Sequence, residues 1–164
     1  MKHIYVCTSG IEGLGINIGE NAKKGDLISY IKGDIKFKVN KNKRDALSNP
    51  NWVGIERDHW IDPDKPYKFL NHSCNPSVGI KGKVSLIALR DMKEGEEVTI
   101  DYSTIEGDPR WEMKCLCRES NCRKIIRSIH FIPEGQFKKY LPYVSTYFKK
   151  LYQKERGIKK LSNV

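Results

Sequence analysis

Phe69-Leu70-Asn71-His72-Ser73-Cys74-Asn75-Pro76 is the stretch on which the reading of this sequence turns. An amide, an imidazole, a hydroxyl and a thiol stand close together, and the run closes on proline. Alone, these residues also fit a turn Asn followed by a structural His. Three further segments bear on them. Upstream, Ser9-Gly10-Ile11-Glu12-Gly13-Leu14-Gly15 is a glycine-rich turn. Downstream, Glu97-Val98-Thr99-Ile100 suggests a strand that runs into Asp101-Tyr102. Further on, Cys115, Cys117 and Cys122 form Cys-x-Cys-x4-Cys, and Cys7 and Cys74 complete the chain's five cysteines. An odd count argues against a complete disulfide framework. A cluster this tight, in a chain expected to be intracellular, reads as a metal site instead.

Composition sets outer limits. The 164 residues are 38% hydrophobic and 30% charged, which fits a folded domain rather than a disordered segment. The length suggests one domain, perhaps with a small appendage. No apolar run approaches the roughly 20 residues that span a bilayer. Met1-Lys2-His3-Ile4-Tyr5-Val6-Cys7 is too short and too polar for a cleaved signal peptide. The expectation is an intracellular protein without membrane contact, cytoplasmic, or nuclear and chromatin-bound if eukaryotic. The net charge is +10, and residues 138–164 carry eight basic residues against the single acid Glu155. Such a tail fits either a solvated helix face or contact with nucleic acid or another acidic surface.

Short strands dominate the first two thirds. His3–Val6, Gly15–Ile18, Leu27–Ile31, Trp52–Ile55, Val78–Ile80 and Val84–Leu89 all read as strands. Gly33-Asp34 reads as a hairpin turn leading into Ile35–Val39, residues 40–50 as a loop, and Asp62–Pro66 as a turn-rich connector. The end of the chain differs. Phe137, Tyr140, Leu141, Val144, Phe148 and Leu151 recur at spacings of three and four, a helical stripe. Pro142 interrupts it, so two short helices or a kink are expected. The stripe is expected to pack on the domain itself, with a homodimer contact as the alternative.

Four segments, in order, resemble the SET-domain lysine methyltransferases: Gly13-Leu14-Gly15, the Asn71–Pro76 run, Gly95–Tyr102 and Cys115–Arg123. The resemblance covers about residues 3–125. It implies a mainly β fold with some α: small curved sheets, β-clip-like, with a threaded pseudoknot segment. It divides the chain into a SET domain at 1–110, a post-SET zinc segment at 111–126 and a basic helical extension at 127–164.

The resemblance also implies the chemistry. The cofactor would be S-adenosylmethionine, with S-adenosylhomocysteine as product, and the acceptor a lysine amine on a protein such as a histone or histone-like DNA-associated protein. Tyr102 would orient the amine at the methyl-transfer point. Gly13, Leu14, Gly15, Asn71, His72 and Leu116 would contact the cofactor. An Asn offers both a donor and an acceptor, which suits an amino-acid zwitterion, and glycines let the backbone approach closely. Cys74, Cys115, Cys117 and Cys122 would hold one structural Zn2+, leaving Cys7 free. Ile100 would line the lysine channel; Tyr30 and Trp111 fit that channel, the cofactor pocket or ordinary core packing. Ile100 stands where the family often has Phe or Tyr, and its lack of a hydroxyl implies that more than one methyl can be added. Ser77 and Lys68 also depart from the family's usual Asn and Arg. Two rival readings stand beside this one: a non-catalytic SET-like binding module and a zinc-stabilised nucleic-acid-binding protein.

Overall fold

A computed structural model of the protein describes residues 1–37 and 51–157. Lys38, Val39 and the expected loop over 40–50 lie outside the described residues, as do Lys159 and Lys160 of the basic tail. Among the described residues the strands form five small sheets, and two α-helices follow them.

β1 (Ile4–Thr8) and β2 (Leu14–Ile18) form an antiparallel hairpin across the glycine-rich turn. Ile16 and Ile18 alternate inward and are fully buried. The far side of β2 bonds the segment before the Asp-Tyr pair: Val98 N–H donates to the Ile16 carbonyl at 2.7 Å, and Ile18 N–H to that of Glu96 at 2.9 Å. β3 (Leu27–Tyr30), β8 (Val78–Lys81) and β9 (Ser85–Ala88) make a second sheet in the order β3-β9-β8. β4 (Gly33–Phe37), β5 (Val53–Glu56) and β6 (His59–Pro63) make a third in the order β4-β6-β5.

The hairpin expected at Gly33-Asp34 does not form. β3 pairs with β9 and β4 with β6, because the two strands need different surroundings. Ile28 and Ile31 are buried in the main core, whereas Ile35 and Phe37 are exposed. The expected connector at Asp62–Pro66 is also shorter than it reads, since β6 takes Asp62 and Pro63 into its sheet.

Two elements position the site. β7 (Asn71–His72) lies parallel to β10 (Thr99–Ile100), with Asn71 opposite Thr99 and His72 opposite Ile100. That pairing, between residues 28 apart in sequence, brings the Asn-His run beside the Asp-Tyr run. Ser77, fully buried, ties the segment after β7 to β10: its Oγ accepts from Thr99 N–H at 2.8 Å and donates to the Glu97 carbonyl at 3.2 Å. Beyond β10, Asp101 caps a 3-10 turn over Tyr102–Ile105 by accepting from Ser103 N–H. β11 (Glu112–Lys114) and β12 (Ile125–Arg127) then form a hairpin whose loop carries three cysteines.

α1 (Glu134–Tyr140) and α2 (Thr146–Glu155) flank Pro142, as the stripe predicts. Phe137, Tyr140, Val144, Phe148 and Tyr152 bury together with Ile129 and Ile132 in a second core cluster. The stripe is therefore satisfied within the chain. The Phe137 and Tyr152 rings stack 3.7 Å apart. Phe137→Ala is expected to cost about 3–5 kcal/mol through the cavity it leaves, read by urea unfolding. Arg156 belongs to this packing as well: its guanidinium lies over the Tyr152 ring and donates to the His130 and Ile132 carbonyls.

Candidate active site and metal centre

Tyr102 stands at the end of β10, packed against the main core. Its hydroxyl donates to the Leu70 carbonyl at 2.7 Å. Its backbone N–H donates to His72 Nδ1 at 3.2 Å, and the two rings lie 5.4 Å apart. Burial first, then the Glu12 and Glu97 carboxylates, push the phenol well above its ordinary range. Tyr102 therefore keeps its proton at any working pH, and that proton is spent on Leu70. The oxygen's lone pairs remain to accept a hydrogen bond.

Beside it, Asn71 faces an excess of acceptors. Its Nδ2 lies 2.9 Å from Glu97 Oε1, 3.0 Å from the Leu14 carbonyl, 3.0 Å from Ser9 Oγ and 3.3 Å from the Glu12 carbonyl. Two amide protons cannot serve four acceptors. Ser9 Oγ itself donates toward Glu97. Gly13 and Gly15 make this corner possible. Gly13 sits at φ +57, in left-handed backbone, and a Cβ on Gly15 would fall 2.5 Å from Glu97 Oε1.

His72 is buried and pulled down to about 4, chiefly by burial; Asp101 acts upward against that, and Arg123 downward with it. It is therefore neutral near pH 7. Because Nδ1 accepts from Tyr102, the proton belongs on Nε2, which faces Cys74 Sγ at 3.4 Å. Asp101, fully buried, anchors the next layer, with Arg123 Nη2 at 2.6 Å from its Oδ1. The same guanidinium reaches Cys74 Sγ through Nε at 3.4 Å.

His72, Cys74, Cys115 and Cys117 bring one ligand atom each to within 4.8 Å of one another, a group that can hold a metal ion. Cys74 and Cys115 sulfurs are 3.8 Å apart, and those of Cys115 and Cys117 are 3.3 Å apart. Tetrahedral bonds of about 2.3 Å to zinc place two sulfurs about 3.8 Å apart, so the donor set fits such an ion. Cys122, half-buried, packs against the same cluster and interacts with Cys115 and Cys117. Burial pushes the Cys74 and Cys115 thiols up. It acts the same way on Cys117, but hydrogen bonds from the Cys74 and Glu119 backbone, together with those from the Cys115 and Cys122 thiols, hold that thiol below its usual range. Cys7 stays apart on β1, opposite Gly15.

The remaining expected residues are distributed unevenly. Trp111 packs against the cysteine cluster. Leu116, between two cysteines, is 40% exposed and free to meet a ligand. Ile100 is a core residue opposite His72. Tyr30 pairs with Ser85 in the β3-β9-β8 sheet, and no hydrogen bond or ring contact among the described residues joins it to Tyr102. Ser9, Glu97, Asp101 and Arg123 fall within the motif segments but carry no assigned role in the sequence. Glu97, Thr99 and Asp101 do recur at every second position of the Asp-Tyr strand. Polar residues on that period, in a segment reading as core, are the signal that marks them.

Among the described residues no helix is long and apolar enough to cross a membrane. A family model described as "SET domain" matches residues 13–103. Human histone-lysine N-methyltransferase 2D is 30% identical over 139 residues, covering 75% of this chain and 2% of that protein. The fission yeast (Schizosaccharomyces pombe) H3 lysine-4 specific histone-lysine N-methyltransferase is 32% identical over 138 residues, covering 74% of this chain and 15% of the relative. The chain thus spans only a small part of these relatives. In fold it is similar to KRYPTONITE, solved in complex with mCHH DNA, an H3(1-15) peptide and SAH. That likeness has a TM-score of 0.60 at 21% identity, over 76% of this chain and 29% of the other. The family match takes in Asn71, His72, Cys74, Asp101 and Tyr102, and covers more than half of the 164 residues: the chain belongs to the SET-domain family.

Proposed function

We propose that this chain is an S-adenosylmethionine-dependent protein-lysine methyltransferase acting on a histone or a histone-like basic protein. The observation that carries this is the state of Tyr102. Its hydroxyl proton is committed to the Leu70 carbonyl, and burial keeps the phenol un-ionised. A lysine N–H donated to its oxygen leaves the amine lone pair directed outward, toward the methyl donor. The cofactor, when bound, supplies the activated methyl group. A free lysine has a pKa of about 10.4, and an apolar channel lowers it by disfavouring the ammonium. The proton leaves to solvent before attack, and Tyr102 does not take it.

The acceptor surplus around Asn71 suits the cofactor's ammonium, with the Leu14 carbonyl and Glu97 carboxylate as partners. The Asn71 amide oxygen would accept from that ammonium and its Nδ2 donate to the cofactor's carboxylate, so Asn71→Ala is expected to weaken cofactor binding by about 10- to 100-fold, hydrogen bonds to charged groups contributing about 1.5–3 kcal/mol each. Titration calorimetry with S-adenosylhomocysteine reads this without turnover, and unchanged affinity would remove Asn71 from the cofactor site.

A structural zinc fits the cysteine cluster. We assign Cys74, Cys115, Cys117 and Cys122 as its ligands, with His72 donating its Nε2–H to the Cys74 sulfur rather than binding metal. His72 Nδ1 already accepts from Tyr102, so its Nε2 lone pair is not available. Transfer of labelled methyl to histones tests the function, and label that appears on lysine supports it. The basic residues of α1 and α2 would favour a substrate held near nucleic acid, and binding that weakens steeply with salt would support that role.

A further inference from the structure

The Asp101 carboxylate draws donors from three parts of the chain. Oδ1 takes Ser103 N–H at 3.0 Å and Arg123 Nη2 at 2.6 Å. Oδ2 takes the Tyr140 hydroxyl at 2.9 Å. Tyr140 lies on α1, beyond the residues that match the family model. Gln136, one turn earlier on the same helix, donates from Nε2 to Tyr140 Oη at 2.6 Å and to the Cys74 carbonyl at 2.8 Å. The proton count closes. Gln136 spends both amide protons, and the Tyr140 hydroxyl accepts one and donates its own to Asp101. Tyr140 is 4% exposed, so water cannot readily replace it.

We propose that Tyr140, backed by Gln136, is a positioning residue for methyl transfer. It fixes Asp101 from the side opposite Arg123, and Asp101 sets the backbone from which Tyr102 projects. α1 is then a support of the active site, through Asp101, rather than an appendage. This rests on Tyr102 as the methyl-transfer residue. Without the Tyr140 hydroxyl, one oxygen of a buried carboxylate loses its donor. The turn over Tyr102–Ile105, which Asp101 caps, is then free to shift, and small shifts at a reacting group lower turnover strongly.

The test compares Tyr140→Phe with Tyr152→Phe in the metal-loaded full chain. Tyr152 lies in the same buried cluster, and its hydroxyl bonds the Ile132 carbonyl, away from Asp101. Two readouts are taken: amide hydrogen exchange at Tyr102 and Ser103, and kcat with KM for the cofactor. Tyr140→Phe should speed exchange at those two amides about tenfold and lower kcat about tenfold, with KM within about twofold. Tyr152→Phe should leave both readouts as in the wild type. The proposal is overturned if Tyr140→Phe behaves as wild type, or if Tyr152→Phe reproduces its effect. Should Tyr140→Phe not fold, Gln136→Leu takes its place, with the same directions expected and the same results overturning the idea. A wild type that transfers no methyl to lysine would defeat the functional reading. The exchange data would still decide the positioning.

Discussion

Tyr102→Phe is expected to lower kcat by about 10²- to 10³-fold while cofactor affinity stays within about twofold. The ring is kept, so its packing against His72 and the core survives. The oxygen that would accept the lysine N–H is lost, and the Leu70 carbonyl loses its donor. Asn71 and the Glu97 corner are untouched, so cofactor binding should persist. The pH dependence separates orientation from base catalysis. The Tyr102 phenol is pushed above its ordinary range, and so does not titrate in the working range. Turnover should therefore rise with pH as the substrate amine loses its proton. A variant that retains near-wild-type kcat would remove Tyr102 from the reaction.

Losing the proposed zinc is expected to have the second large effect. The cluster that supports the β11-β12 hairpin consists of Cys74, Cys115, Cys117 and Ile126, with Tyr102, Trp111, Met113 and Cys122 packed against them. Half of these side chains are cysteines, so on the proposed zinc assignment the hairpin would depend in large part on bonds between sulfurs and the cation. Structural zinc contributes about 10–16 kcal/mol of apparent binding energy in small sites. Cys115→Ala should abolish metal binding, from about one ion per chain to none. It should also weaken cofactor binding by at least about tenfold, because Cys74 joins the cluster to His72 and Arg123. Cys122→Ala should do the same to metal content. A Cys122 variant that keeps its metal would move the fourth ligand to His72. Metal analysis with calorimetry reads both quantities. Affinity should also fall as pH falls, since protons compete for raised thiols such as Cys74 and Cys115.

Much of the candidate site was legible in the sequence because its residues sit in short runs. Asn71, His72 and Cys74 fall within four positions, and Asp101-Tyr102 closes a strand. The parallel pairing of β7 with β10 was not legible, because each strand has only two residues and no period shows in so short a run. The helices were, since Phe137, Tyr140, Val144 and Phe148 keep a helical spacing on either side of Pro142. Their relation to Asp101 was hidden. A tyrosine in an apolar stripe reads as core, and only the folded chain shows its hydroxyl on a carboxylate 39 residues away. The hairpin at Gly33-Asp34 was misread because alternation within a strand does not name its partner. β3 and β4 each found one far along the chain.

The most direct test of the central claim is transfer of labelled methyl from S-adenosylmethionine to core histones. The zinc-loaded protein is used, and the modified residue is located by peptide mass spectrometry. The account predicts label on lysine side chains with the wild type and its near-complete loss with Tyr102→Phe. Label on residues other than lysine, lysine label that persists without the Tyr102 hydroxyl, or none with cofactor bound would contradict it.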